Sequence, residues 1–293
     1  MTIFLQQLIN GLSVGSIFAL IALGYTMVYG IIKLINFAHG DIYMLGAYTG
    51  FIVSTTLGLS FLPTLIISMI VCMVAGVLIE KIAYKPLRHA SRITSLITAI
   101  GVSLLLEYVM IYIMGPNIRT YPADFFPKEV YTIAGLQISN HQILIFVTSI
   151  ILMLALQFIV KKTKMGKAMR AVSTDPDAAA LMGINVNNTI SFTFALGSAL
   201  AGAAGVMIGV YYNSIDPLMG MIPGLKAFIA AVFGGIGIIP GAMLGGEAIG
   251  ILETMASGYG LSMVKDAVVY LILIIILIIK PAGLLGKNTK EKV

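Results

Sequence analysis

Apolar residues run along this chain in stretches long enough, at 1.5 Å of rise per residue, to cross about 30 Å of hydrocarbon as helices. Residues 8–30 form the first stretch. Residues 33–41, Lys-Leu-Ile-Asn-Phe-Ala-His-Gly-Asp, interrupt it without a proper loop, and the apolar run resumes over 42–57. Further spans are expected at 62–83, opened by Pro63, and at 93–114, 141–160 and 189–212. A polar-aromatic loop with three prolines fills 115–140, and a short connector covers 213–221. The end is less regular. Stretches 222–239, 241–258 and 261–279 are apolar but punctuated by Pro240-Gly241 and Ser257-Gly258-Tyr259-Gly260, and two of them are short for a full crossing. The pattern predicts an all-α polytopic membrane protein with about eight to nine transmembrane segments, some discontinuous and Gly-rich. These make a single transmembrane domain over 1–293. Irregular backbone at membrane depth must be surrounded by protein or line a watery cavity, so a broken or re-entrant pair is expected in the last part.

One segment departs from this pattern. Residues 161–185, KKTKMGKAMRAVSTDPDAAALMGIN, are polar and helix-capable, with Lys161, Lys162, Lys164, Lys167 and Arg170 crowded into the first half. Asp175-Pro176 reads as a helix start, because Asp175 caps free N–H groups and Pro176 suits the first helical position. A short helix over 177–182 should stop at Gly183, the usual residue for a left-handed cap. Such a helix is too short to cross a bilayer and too polar to build a core. It is either a solvated connector or a docking element through which a soluble partner acts on the membrane part. In the second case residues 166–183 enter a cleft of that partner. Gly166 and Gly183 bound the segment, Arg170 offers a fork for a carboxylate, and Ala178 to Ala180 give a slim face.

Composition agrees with the class. The chain is 59% hydrophobic and 10% charged, against about 25% charged for a soluble domain, and its mean hydropathy is +1.01. The net charge of +6 matters less than where the cations lie. Lys81, Lys85, Arg88 and Arg92 fill one connection, the five cations of 161–170 a second, and Lys280, Lys287, Lys290 and Lys292 the tail. The 115–140 loop has only Arg119 and Lys128, and 213–221 has no cation. The positive-inside rule assigns the first three groups to the cytoplasm and the two sparse loops to the outside. The N-terminus is then external, Lys33 lies near the cytoplasmic face, and the number of crossings is odd. The start lacks a cationic lead and its apolar run is too long for a signal-peptide core, so Met1 is expected to begin the mature protein. Cys72 is the only cysteine, which excludes an intramolecular disulfide.

Glycines carry two readings. Gly197, Ala201, Gly205 and Gly209 recur every four residues and give a smooth face for tight helix packing. Gly237, Gly241 and Gly245 repeat the spacing, with Gly246 and Gly250 beside them. There the run Phe233-Gly-Gly-Ile-Gly-Ile-Ile-Pro-Gly241 is too broken for a plain packing helix and suits a discontinuous helix at a transport path. The candidate path therefore comprises Asn36, His39, Gly40 and Asp41 at the first break and Gly234, Gly235, Gly237, Pro240 and Gly241 at the second. His39 is expected to hydrogen-bond within the kink, and Gly40 to allow a turn barred to other residues. Glu107, Lys226, Glu247 and Glu253 are ionisable residues at apolar depth, where charge is costly and often functional. An interfacial position suits Lys226 and Asp266 equally well.

Other chemistry is missing from the sequence. Gly166-Lys167 and Gly286-Lys287 lack the remainder of a phosphate-binding loop. His39, His89 and His141 are far apart without metal spacing, and no nucleophile-and-base set stands out. The chain is not expected to be an enzyme by itself, to hold a metal or to bind nucleic acid.

The run Asn36-Phe-Ala-His-Gly-Asp-Ile-Tyr-Met-Leu-Gly-Ala-Tyr48 resembles the hallmark of branched-chain amino acid ABC transporter permeases, the high-affinity leucine/isoleucine/valine type. The likeness continues through Lys85-Pro-Leu-Arg88 and through Gly166, Arg170, Asp175, Ala179, Gly183 and Asn185. It also takes in Gly224-Leu-Lys-Ala-Phe228, Phe233-Gly-Gly-Ile-Gly237 and Pro240-Gly-Ala-Met-Leu-Gly-Gly246, so it covers nearly the whole chain. Its His-Gly element and length are similar to the first of the two paralogous permeases of such systems. Two departures stand out: Asp41 where glutamate is common, and Ile238 where a small polar residue often precedes Ile-Pro-Gly. The resemblance implies a multi-pass protein of the bacterial inner membrane. Its implied partners are the bilayer, a second permease, an external binding protein and two cytoplasmic ATPases that carry the ATP and magnesium. Segment 161–188 would then be the cytoplasmic coupling segment and 115–140 an external loop. Similar permeases handle urea and short amides. The competing class is an ion-coupled secondary carrier, with a passive channel more distant.

Overall fold

The computed structural model describes residues 2–88 and 90–286. Met1, His89, Lys287, Lys290 and Lys292 lie outside the described residues, as does the side chain of Arg92. The first helix, α1 (Thr2–Ile32), is apolar on every side and buried almost continuously from Gly11 to Val28. A helix without a polar face belongs inside a larger bundle. Around it pack α2 (His39–Thr56), α8 (Val186–Tyr212), α9 (Met221–Gly234) and α10 (Ile239–Gly258). An outer layer consists of α3 (Phe61–Ile79), α4 (Arg92–Met114), α5 (Asn140–Lys162) and α11 (Lys265–Ile279), whose outward faces expose large apolar residues such as Tyr112, Ile151 and Ile278.

The chain folds as a largely helical polytopic membrane protein. Among the described residues, six helices are long and apolar enough to cross a membrane by length and composition: Thr2–Ile32, Phe61–Leu87, Ile93–Met114, Asn140–Lys162, Val186–Tyr212 and Ser262–Ile279. The other segments expected from the sequence correspond to α2, α9 and α10, which run inside the bundle.

Small residues let the inner helices touch backbone to backbone. Along α8, Gly197 meets Gly24, Gly205 meets the Tyr43 carbonyl, and Gly209 lies under the Tyr121 ring. On α10, Gly241 meets Gly234 and Gly245 meets the Ala230 carbonyl, while Gly246 and Gly250 lie against Ala19 and Gly15 of α1. The 241–250 glycines therefore belong to a continuous packing helix. The break falls earlier than expected, at 235–238, and not at Pro240-Gly241. Gly235 and Gly237 take φ of +106° and +90°, conformations that L side chains resist. Pro240 sits in the first turn of α10, where a missing N–H costs nothing.

At one end of the bundle the 115–140 loop is more ordered than the sequence suggested. It folds into a hairpin of β1 (Val130–Ile133) and β2 (Leu136–Ser139). Ala134 and Gly135 turn it, both at positive φ, the geometry of a two-residue type I′ loop. Gln6 of α1 clamps the hairpin with two 2.8 Å bonds, Nε2 donating to the Gln137 carbonyl and Oε1 accepting from its N–H. Tyr121 of the same loop donates its hydroxyl to the Ala47 carbonyl at 2.7 Å. Burial pushes this phenol up from its ordinary pKa, so it stays a donor. At the opposite, cation-rich end, α3 loosens into a π-helical turn, Glu80–Tyr84. There α6 (Lys164–Thr174) and α7 (Pro176–Leu181) connect α5 to α8.

Candidate functional site

The capped helix forms where the sequence predicts it. Asp175 Oδ1 accepts from the N–H groups of Asp177 and Ala178, both at 2.9 Å, and Pro176 opens α7. At the other end Gly183 has φ +83°. Its N–H reaches the Ala180 carbonyl and that of Ile184 reaches Ala179, each at 3.0 Å. This pair of bonds is a Schellman stop.

Two expectations about its faces need correction. Ala179 is 4% exposed and packs into its own chain, so Ala178 to Ala180 do not form a free slim face; Ala178 and Ala180 are exposed around it. The residues that project are Leu181 and Met182, 89% and 83% exposed. Arg170 is exposed, but one arm of its fork is already engaged, since its Nη1 donates to the Val160 carbonyl at the end of α5. It holds α6 to the membrane helix. The inner face of α6 is buried through Gly166, Met169 and Val172.

The two sets of candidate residues meet at this end. Thr26, Gly30, Met169, Arg170, Ser173 and Gly237 line one cavity of about 100 Å³. Gly30 and Gly237 face each other across it, with room between them for an added side-chain carbon. The polar segment thus rests on the turn between α9 and α10 and on the end of α1.

At the first break, Asn36 Oδ1 accepts from the Tyr84 hydroxyl at 2.8 Å, tying residues 33–38 to the π-helical turn. His39 begins α2 and lies edge-on to Tyr25, ring centroids 4.7 Å apart. Among the described residues its buried Nε2 finds no hydrogen-bond partner, so the expected bond within the kink is not made through that nitrogen. Gly40 is helical and not a turn residue. Its bare Cα is needed because the backbones of Gly220 and Gly224 lie against it. Asp41 is buried, with Ser103 donating to Oδ2 and Glu107 beside it.

A further cluster was invisible in sequence because its members lie on three helices. Lys226 of α9 pairs with Glu253 of α10 at 2.8 Å and with Asp266 of α11 at 2.7 Å. Lys265 closes the set on Glu253 at 2.7 Å. The signal was opposite charges at apolar depth in successive segments. Glu247 is separate and accepts from Ser16 at 2.8 Å.

Over residues 7–277 the sequence matches the family described as the permease component of branched-chain amino acid transport systems. The chain belongs to this family. It is 44% identical to the high-affinity branched-chain amino acid transport system permease protein BraD of Pseudomonas aeruginosa, over 99% of this chain and 98% of that protein. To the permease protein LivH of the same kind of system in Escherichia coli K12 it is 40% identical, again over 99% and 98% of the two chains. No solved structure matches.

Proposed function

We propose that the chain is a membrane-spanning permease subunit of an ABC importer that moves branched-chain amino acids into a bacterial cell. In this reading it sits in the inner membrane with α2, α9 and α10 entering the bilayer beside the six long spans. It pairs with a second, paralogous permease. An external binding protein delivers substrate at the hairpin end, and two ATPases act at the cation-rich end, where they bind the ATP and magnesium.

The observation that carries the reading is the end-to-end likeness to BraD and LivH at 44% and 40% identity, with no segment of either chain left over beyond a few residues. The geometry supports it at two points. First, α7 is fixed at both ends by its own caps and presents Leu181 and Met182 outward, a small apolar knob suited to a groove on a partner. Second, α6 transmits any displacement of α7, since Arg170 ties it to α5 and the shared cavity places it against Gly237 and Gly30. A partner that closes on α7 then pushes on the turn between α9 and α10. Docked side chains and rigid helices of this kind have discrete arrangements, which is what alternating access requires.

The test is leucine uptake into proteoliposomes holding the chain with its co-purified permease and ATPase subunits, with loaded binding protein outside and ATP inside. Uptake that depends on ATP and on the binding protein is the expected result. Uptake by this chain alone on a sodium or proton gradient, with no ATPase present, would establish the secondary-carrier alternative instead.

A further inference from the structure

A cavity of about 460 Å³ is lined by α1, α2, α8, α9, α10, the start of α11 and the connector 213–221, which contributes Asp216. Its volume is within the range of small-molecule pockets. Phe18, Tyr43, Ile208 and Ile222 supply an apolar wall, and Lys226, Glu253 and Lys265 line one side. The Lys226 side chain is 5% exposed and that of Glu253 7%. Their outer partners are far more open, Lys265 at 36% and Asp266 at 39%. The inner pair is thus a fixed, buried ammonium beside a fixed, buried carboxylate. The outer pair consists of two adjacent residues at the start of α11, a helix packed lightly on the bundle.

The geometry points to Lys226 and Glu253 as a receptor for the zwitterionic head of an α-amino acid, held shut by Lys265 and Asp266 until substrate displaces them. Within one α-amino acid an ammonium and a carboxylate stand side by side, as do the charged ends of Lys265 and Asp266 on the receptor. The ligand carboxylate replaces Asp266 on Lys226, and the ligand ammonium replaces Lys265 on Glu253. Every buried charge keeps a partner during this exchange, so no uncompensated ion is left in the protein interior. The displaced side chains are already partly in solvent and hydrate on release. The aliphatic side chain of the ligand lies against Phe18 and Ile208. Urea and short amides carry neither charge and gain nothing from the receptor. The inference rests on the proposed import of branched-chain amino acids and specifies how this chain selects them.

Ile222 lines the cavity and is 55% exposed, whereas Cys72 is buried. An Ile222→Cys chain in the assembled importer therefore reports on occupancy through its rate of labelling by a membrane-impermeant maleimide, read by mass on this chain. Leucine is expected to slow labelling, while leucinamide and 4-methylpentanoate, each with one of the two charges, leave it unchanged at the same concentration. Lys265→Ala with Asp266→Ala empties the receptor of its own side chains and moves protection to leucine concentrations about tenfold lower. Lys226→Met, or Glu253→Gln where the methionine chain does not assemble, abolishes protection. A cluster that only clamps α11 to the bundle predicts the reverse for the double alanine, a looser and less protected site. Labelling indifferent to leucine, or slowed equally by all three compounds, overturns the proposal. Loss of ATP-driven leucine uptake by the native assembly tests the import reading separately.

Discussion

The imidazole of His39 fills the space that a side chain on Gly24 would occupy, its Nε2 and Cε1 lying over the bare Cα of α1. The Gly197 carbonyl of α8 borders the same space. Three elements thus meet at one residue without a side chain. Gly24→Ala is expected to lower the stability of the purified protein by about 1–3 kcal/mol through overpacking. His39→Ala in the same chain should recover part of this, because it removes the colliding ring. Melting temperatures of the four proteins of the cycle, in one detergent, measure the coupling.

The cap on α7 and its exposed tip separate two effects. Asp175→Ala removes an acceptor from two N–H groups and is expected to cost about 1 kcal/mol of local helix stability. Asp175→Asn retains most of that. Leu181→Asp with Met182→Asp should leave folding intact, since both side chains are exposed, yet abolish stimulation of partner ATPase activity by loaded binding protein. Ala179→Arg should instead lower the yield of folded protein, because Ala179 is buried in its own chain. Equal ATPase stimulation in the aspartate pair and the native chain would remove α7 from the contact.

Glu80 is fully buried in the π-helical turn and depends on Arg88, while Ser191 donates to its other oxygen at 2.6 Å. Arg88 also reaches Asn187 at the start of α8. Arg88→Ala strands the carboxylate and is expected to cost about 3 kcal/mol or more. Glu80→Leu combined with Arg88→Met should be much closer to the native protein, because apolar groups replace both charges. The order of the three melting temperatures checks this.

Ala134 takes φ +52° in the hairpin turn, a conformation that alanine adopts at a cost. Ala134→Gly or Ala134→Asn is expected to stabilise the hairpin by about 0.5–1 kcal/mol. Slower amide exchange across Val130–Ile133 would show it, with no change elsewhere.

How much of this was legible in the sequence depended on range. Helix spans follow from apolar runs, and the start and stop of α7 follow from Asp175, Pro176 and Gly183, because capping bonds join residues two to five apart in sequence. The runs 33–41 and 233–241 also announced breaks, although in the second the expected point was Pro240-Gly241. What no local rule carries is which surface each residue meets. Ala179 looks like a slim outward face until its own chain buries it, and Arg170 looks like a wholly free fork until the Val160 carbonyl takes one arm. Gly40 reads as a turn glycine, yet it is helical and bare because two other glycines lie against it. The second break lies before Pro240 because α10 already begins at Ile239, where Gly241 packs on Gly234. Lys226, Glu253 and Asp266 were each visible as costly charges in apolar segments, but an ion pair is a matter of distance. Only the crossing of α9, α10 and α11 brought those charges within 3 Å and gave each a partner.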